Sequence, residues 1–121
     1  SIGSEIVRQV LALDPAGVWA LDNDETHLYE AALAWRDEGD AQVTTALCDI
    51  RDTEQLNRVF DDVRPEVVFH AAAHKHVPIL ESHPEEAVKT NVLGTRNLLD
   101  AVRTYGAASF VLISTDKAVN P

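Results

Sequence analysis

Segments with helical spacing of apolar residues alternate along this chain with short, largely apolar runs. The runs begin at Val18, Val43, Val67 and Ser109, and apolar residues recur every three or four positions between them. A strand that is apolar on both faces is typical of a parallel sheet with helices above and below it. The alternation therefore predicts an α/β fold with a Rossmann-type doubly wound parallel sheet.

The predicted helices lie between these runs. The first begins at Gly3 and is broken at Pro15-Ala16-Gly17, and the second ends at Glu38-Gly39-Asp40. Thr53 is predicted to cap the third helix, and Pro84 begins the last, because proline suits the first turn of a helix. The predicted inner face of this last helix carries apolar residues at helical spacing: Val88, Val92, Leu98, Leu99 and Val102.

The predicted sheet is incomplete within residues 1–121. In the doubly wound order 3-2-1-4-5 the first strand is central, and we expect it immediately before Ser1. The strands that begin at Val18 and Val67 would then each have an unpaired inner edge. We therefore expect residues 1–121 alone to be poorly stable and inactive, with the C-terminal substrate region also absent.

Composition excludes several classes of protein. The chain carries 10 basic and 20 acidic residues, for a net charge of −10, which argues against nucleic acid as a partner. Its single cysteine, Cys48, excludes an internal disulfide and is interpreted as a buried thiol.

No apolar run is long enough to span a bilayer, so a cytoplasmic location is expected. We expect no metal site from the scattered histidines: His70, His74, His76 and His83.

Two features near the amino terminus suggest a dinucleotide site. Ser1-Ile2-Gly3 opens the first helix, and a glycine there would let the helix pack closely while its amino end binds pyrophosphate. Asp22 follows 19 residues after Gly3, at the end of a strand, where a carboxylate accepts hydrogen bonds from the ribose hydroxyls. The alternatives are a plain tight turn at Gly3 and helix capping by Asp22-Asn23-Asp24. No basic residue directly follows Asp22, so NAD is favoured over NADP.

Three blocks carry a resemblance to a known family: 70–78 (HAAAHKHVP), 89–95 (KTNVLGT) and 114–121 (STDKAVNP). They resemble the CapD-type UDP-N-acetylglucosamine 4,6-dehydratases, which are polysaccharide-biosynthesis members of the extended short-chain dehydrogenase/reductase family. The resemblance covers the whole chain, with Ser1-Ile2-Gly3 similar to the end of the family's Gly-rich loop. It implies that residues 1–121 form part of an NAD(P)-binding Rossmann domain.

The resemblance implies a reaction cycle. Bound NAD oxidises the C4 hydroxyl of the sugar, a base removes the C5 proton, the C6 hydroxyl leaves as water, and hydride returns to C6. It implies Lys117 as the C5 base, Asp116 as the acid that protonates the departing hydroxyl, and Thr115 as the donor to the C4 oxygen. The family's Tyr-x-x-x-Lys motif, in which some dehydratases have Met for Tyr, is not present in these residues.

Other residues receive a role from the same resemblance. Ala71, Ala72 and Ala73 would line the nicotinamide side, and Asp49 and Ile50 would flank the adenine. On the substrate side, at the carboxyl edge of the sheet, the resemblance implies a further set: Lys75, His76 and Asn91.

Two alternative functions stay open. A UDP-sugar 4-epimerase would share the cofactor and the C4 oxidation without losing water. A non-catalytic NAD-binding regulatory module would not need the adjacent Asp116 and Lys117. The resemblance also implies a UDP-sugar substrate, a homo-oligomer, and for some relatives an anchor to the inner membrane outside these residues.

Overall fold

The computed structural model describes residues 1–37 and 43–115 of the 121-residue chain. The chain divides into two compact units, Ser1–Asp49 and Ile50–Pro121. Each unit contains one pair of parallel strands, with a helix before the first strand and helical structure between the two strands. The prediction of an α/β fold with parallel strands is therefore confirmed.

The first unit contains helix α1 (Ile2–Leu11), strand β1 (Val18–Asp22), helix α2 (Glu25–Asp37) and strand β2 (Val43–Leu47). Strands β1 and β2 are parallel and in register from Val18 opposite Val43 to Asp22 opposite Leu47. The buried apolar residues of this unit come from α2 and from the exit of β2: Leu28, Trp35 and Cys48. The predicted burial of Cys48 is confirmed, and the predicted end of α2 at 38–40 lies outside the described residues.

The second unit begins with helix α3 (Thr53–Val63) and strand β3 (Val67–His70), followed by two short helices, α4 (Val77–Ser82) and α5 (Pro84–Ala87). A π-helix (Val88–Gly94) then leads directly into helix α6 (Thr95–Tyr105) and strand β4 (Ser109–Leu112). Strands β3 and β4 are parallel, from Val67 opposite Ser109 to His70 opposite Leu112. The buried apolar side chains come from α3 and α6: Leu56, Phe60, Leu98, Ala101 and Val102.

In the predicted order 3-2-1-4-5, strands 2, 3, 4 and 5 correspond to β1, β2, β3 and β4. The two observed pairs agree with that order, since β2 lies beside β1 and β4 lies beside β3. The central strand of that order stays a prediction. Coverage of both sheet faces is not found within the second unit, where Val67, Phe69 and Val111 are exposed. In β3 the exposed residues alternate with the more buried Val68 and His70, and Phe110, opposite Val68 in β4, is also partly buried, so the helices of this unit cover one face here.

Two predicted helix starts are wrong by one residue. Helix α1 begins at Ile2 rather than Gly3, because Ser1 is its N-cap and accepts a hydrogen bond from the Ser4 N–H at 3.1 Å. Helix α3 is capped by Asp52 rather than Thr53. The Asp52 backbone is extended, and its carboxylate accepts the Gln55 N–H at 2.9 Å.

The long helix predicted from Pro84 is interrupted by the π-helix, and its predicted inner face is partly wrong. Leu98 and Val102 are buried, but Val88 and Val92 are 50% and 58% exposed and Leu99 is also exposed. A π turn contains more residues than an α turn, so residues on its two sides no longer share one face. The short helix α4 was not predicted from the sequence.

Candidate active site

Asp22 ends strand β1 with its side chain exposed. Its Oδ1 accepts a hydrogen bond from the Asp24 N–H at 2.9 Å, and Asp24 in turn accepts the His27 N–H at 3.0 Å. Asp24 therefore caps α2, which leaves Asp22 out of the first turn of that helix. In the described residues no hydrogen bond engages the other carboxylate oxygen of Asp22, so that oxygen can accept a bond from a ligand.

The amino end of α1 carries Ser1, Ile2 and Gly3. Besides capping the helix, the Ser1 hydroxyl lies 2.9 Å from the Ser4 hydroxyl. A Cβ atom on Gly3 would meet only Ser1 Oγ, at 3.8 Å, which is an ordinary contact. Among the described residues, therefore, no neighbour requires glycine at this position. The close packing predicted for Gly3 concerns the strand expected before Ser1, so it stays a prediction.

The segment after β2 is fixed by contacts of its backbone and of the Ile50 side chain. The Asn97 amide donates to the carbonyl oxygens of Ile50, at 3.0 Å, and of Arg51, at 3.4 Å. The Ile50 side chain lies directly against Gly94. Sequence reasoning selected Asp49 and Ile50 but missed Gly94 and Asn97, which lie more than 40 residues further along the chain.

Residues 71–76, which leave the carboxyl end of β3, are exposed and form neither helix nor strand. Ala73, Lys75 and His76 line a groove of about 340 Å³ together with Ile79, Leu80 and Glu86. The hydrogen bond from Lys89, together with the charge of Arg51 and its hydrogen bond, holds the pKa of Glu86 below its ordinary value. The groove therefore combines an ionised carboxylate with Lys75 and the imidazole of His76.

Asn91, in the π-helix, is bonded at both ends of its side-chain amide to one residue of this segment. Its Oδ1 accepts the His74 N–H at 2.8 Å, and its Nδ2 donates to the His74 carbonyl at 2.9 Å. Asn91 therefore fixes the backbone next to Lys75. Single π turns inside helices are frequent at functional sites.

His70, the last residue of β3, is 4% exposed, and its Nε2 lies 2.8 Å from the Thr95 hydroxyl. Burial lowers the pKa of His70 below its ordinary value, so the ring is neutral near pH 7. The described residues contain no group of three or more His, Cys, Asp or Glu side chains able to hold a metal ion.

Thr115 lies at the same sheet edge as residues 71–76. Strands β3 and β4 are parallel, and the Ile113 N–H donates to the His70 carbonyl at 2.9 Å, so the segments that follow both strands leave the sheet together. Thr115 is exposed there. Asp116 and Lys117 lie outside the described residues.

Comparison with known proteins identifies the family. A family model described as "Polysaccharide biosynthesis protein" matches residues 1–121. The probable polysaccharide biosynthesis protein EpsC of Bacillus subtilis is 42% identical over 123 residues, covering 100% of this chain and 21% of its own length. The inverting UDP-N-acetylglucosamine 4,6-dehydratase of Campylobacter jejuni is 48% identical over 73 residues, covering 60% of this chain and 21% of its own length.

Comparison with solved structures also finds a sugar-nucleotide enzyme. The UDP-glucose 4-epimerase of Thermus thermophilus, in complex with NAD, superimposes with a TM-score of 0.82 at 36% identity, covering 95% of this chain and 34% of that enzyme. This likeness confirms the Rossmann-type fold.

In the described ranges, 1–37 and 43–115, no helix has the length and apolar character needed to cross a membrane. The chain spans about a fifth of each of the two curated relatives and about a third of the epimerase. On the match over residues 1–121, the chain belongs to the polysaccharide biosynthesis protein family.

Proposed function

We propose that the full-length protein is a nucleotide-sugar 4,6-dehydratase that acts on a UDP-N-acetylglucosamine-like substrate with bound NAD. The observation that carries the proposal is the position of Thr115, exposed after β4 at the edge where residues 71–76 leave β3. Asp116 and Lys117 follow it directly in the sequence. The 48% identity to an inverting 4,6-dehydratase, over 73 residues, supports the same reaction.

Within the proposal, residues 1–121 form part of the domain that binds NAD. Asp22 would accept the ribose hydroxyls through the oxygen that Asp24 does not use, since a carboxylate accepts several hydrogen bonds. The amino end of α1, at Ser1-Ile2-Gly3, would face the pyrophosphate. Asn23 would lie beside the ribose, and Asp49 and Ile50 would flank the adenine.

The described residues fit such a cofactor at the nicotinamide end as well. Ala71, Ala72 and Ala73 are exposed, and their side chains are too short to keep a flat ring away from the backbone. NAD, when bound, would supply the acceptor and donor of hydride. An acidic Asp22 with no adjacent basic residue disfavours the 2′-phosphate of NADP.

The proton transfers would fall to the segment after β4. Lys117 would remove the C5 proton once C4 is a ketone, because the ketone stabilises the resulting carbanion. Asp116 would protonate the departing C6 hydroxyl, and Thr115 would donate a hydrogen bond to the C4 oxygen. On the other side of the substrate, Lys75, His76 and Asn91 would contact or position the sugar nucleotide.

The experiment is to incubate the purified full-length protein with UDP-N-acetylglucosamine and determine the product mass. We expect a product lighter by one water. Lys117→Met should lower kcat by about 10²- to 10⁴-fold, the usual contribution of a general base. Arg58→Met is the control, since Arg58 pairs with Glu54 on the exposed surface of α3 and has no role in the proposal. Activity that survives Lys117→Met would contradict the role of Lys117.

A second candidate function is UDP-sugar 4-epimerisation. The UDP-glucose 4-epimerase of Rickettsia bellii is 44% identical over 73 residues, close to the value for the dehydratase. In the same experiment an epimerase would give a product of unchanged mass with the C4 configuration inverted. A full-length protein that binds NAD but converts neither UDP-N-acetylglucosamine nor UDP-glucose would favour a non-catalytic NAD-binding module.

A further inference from the structure

A line of hydrogen bonds joins the end of β3 to the π-helix. His70 Nε2 lies 2.8 Å from Thr95 Oγ1, and the Thr95 hydroxyl donates to the Asn91 carbonyl at 2.8 Å. The side chain of Asn91 then holds the His74 backbone through two bonds. Segment 71–76 is therefore fixed at its start and at its middle by groups that meet at one turn.

This arrangement determines which nitrogen of His70 carries a proton. A threonine hydroxyl has one hydrogen, and here the Asn91 carbonyl receives it. Thr95 Oγ1 can therefore only accept from His70, so His70 must carry a proton on Nε2. Because the ring is buried at the end of a strand, rotating it to another partner would leave a buried polar atom unsatisfied.

Thr95 also acts on the helix itself. It is the first residue of α6, directly after the π-helix, and its hydroxyl bonds the carbonyl four residues earlier. A threonine that bonds in this way often bends a helix, and here the bond lies where the π-helix joins α6. The side chain of Asn91 projects toward His74 from this same turn.

We propose that Thr95 is a positioning residue of the candidate site: its hydroxyl fixes His70 in the Nε2–H form and holds the π-helical turn from which Asn91 clamps segment 71–76. Thr95 touches neither a reacting atom nor a cofactor in this account. It acts through Asn91 on the backbone beside Lys75 and His76. The catalytic consequence rests on the proposed function, whereas the structural consequence does not.

The test compares three variants of the full-length protein. Thr95→Val keeps the shape of the side chain and removes the hydroxyl, and Thr95→Ser keeps the hydroxyl. Thr104→Val removes an exposed hydroxyl from the same helix and is the matched control. Two readouts are independent of activity: the ¹⁵N shifts of the His70 ring, assigned with His70→Gln, and hydrogen exchange at the His74 amide.

In the unsubstituted protein the ring shifts should show a proton on Nε2. Thr95→Val should change the His70 shifts and speed exchange at the His74 amide by about tenfold. It should also lower kcat by about tenfold with KM within about twofold, because misplaced site residues affect the chemical step. Thr95→Ser should restore the His70 shifts and return the His74 exchange rate and kcat to within about threefold of the unsubstituted protein. Thr104→Val should change none of these readouts.

Failure of the inference and failure of the proposed function give different results. A neutral His70 protonated only on Nδ1 in the unsubstituted protein would overturn the inference, even where Thr95→Val does not fold. Unchanged His70 shifts and His74 exchange in a folded Thr95→Val protein would also overturn it. If Thr95→Val changes both but the unsubstituted protein yields no dehydrated product, the inference stands and the proposed function fails.

Discussion

Gly94 is buried where the π-helix meets α6, and we expect alanine there to destabilise the protein. The backbone angles of Gly94, φ −60° and ψ −44°, suit any residue, so conformational freedom does not explain the glycine. A Cβ atom would instead lie 2.7 Å from Ile50 Cδ1 and 2.8 Å from Ile50 Cγ1. Both distances are shorter than real carbon contacts, so Ile50 or the helix would have to move.

The expected free energy follows from two opposing effects. Overpacking a well-filled interior costs about 1–3 kcal/mol. Replacing glycine by alanine in a helix gains about 1 kcal/mol. Gly94→Ala should therefore lower the free energy of unfolding by as much as about 2 kcal/mol. In an Ile50→Ala background the clash is absent, and the same substitution should be neutral or stabilising.

The assay is a double-mutant cycle in the full-length protein, measured by urea unfolding. We expect a coupling energy of about 1–3 kcal/mol between positions 94 and 50. Gly106→Ala is the control: Gly106 has a φ of 75° and no atom within 4 Å of a Cβ. Its substitution should cost about 1 kcal/mol through backbone strain alone, additively with Ile50→Ala. A stabilising Gly94→Ala in the unsubstituted background, or additivity with Ile50→Ala, would refute the close contact.

Two further predictions concern the ends of β1 and β3. Asp22→Asn should weaken NAD binding and reduce the protein's preference for NAD over NADP, because the substitution removes the negative charge that would repel a 2′-phosphate. Unchanged affinities for both cofactors, measured by calorimetry, would contradict the role of Asp22. His70 has a pKa lowered by burial, so the unfolded chain takes up a proton before the folded chain does. The free energy of unfolding should therefore be highest above the unfolded pKa of about 6.5 and fall as the pH drops below it. Urea unfolding of His70→Gln should show a weaker dependence on pH over the same range, and identical pH profiles would argue against it.

Much of the fold could be predicted from local patterns. The four strands lie where apolar runs begin, at Val18, Val43, Val67 and Ser109, because each run is short and bounded by polar or turn residues. Burial of Leu28 and Trp35 follows from helical spacing on α2. These features depend on residues within one turn or one strand.

The predictions that were wrong concern geometry that the spacing of residues in the sequence does not encode. Val88 and Val92 are spaced for an α-helical inner face, yet the π-helix leaves both exposed. Asp52 and Thr53 can both cap a helix, and only the backbone at Asp52 decides between them.

The site shows the same limit. The resemblance selected Asn91 and residues 71–73, but the clamp between Asn91 and His74 joins residues 17 positions apart. The contact between Ile50 and Gly94 spans a longer separation still. Neither a period nor a local motif predicts such pairs, because they arise from how α6 and the π-helix pack against loops after β2 and β3. Thr95, with no motif role of its own, could be recognised only from its bonds to His70 and Asn91.

The central claim, that this family member dehydrates a nucleotide sugar, is tested most directly by turnover in D₂O. Removal of the C5 proton and its replacement from solvent should leave one deuterium at C5 in a product that has lost one water. Hydride returned to C6 would come from the substrate itself, so C6 should gain no solvent deuterium. A product of unchanged mass without deuterium at C5 would contradict the dehydratase account and favour epimerisation.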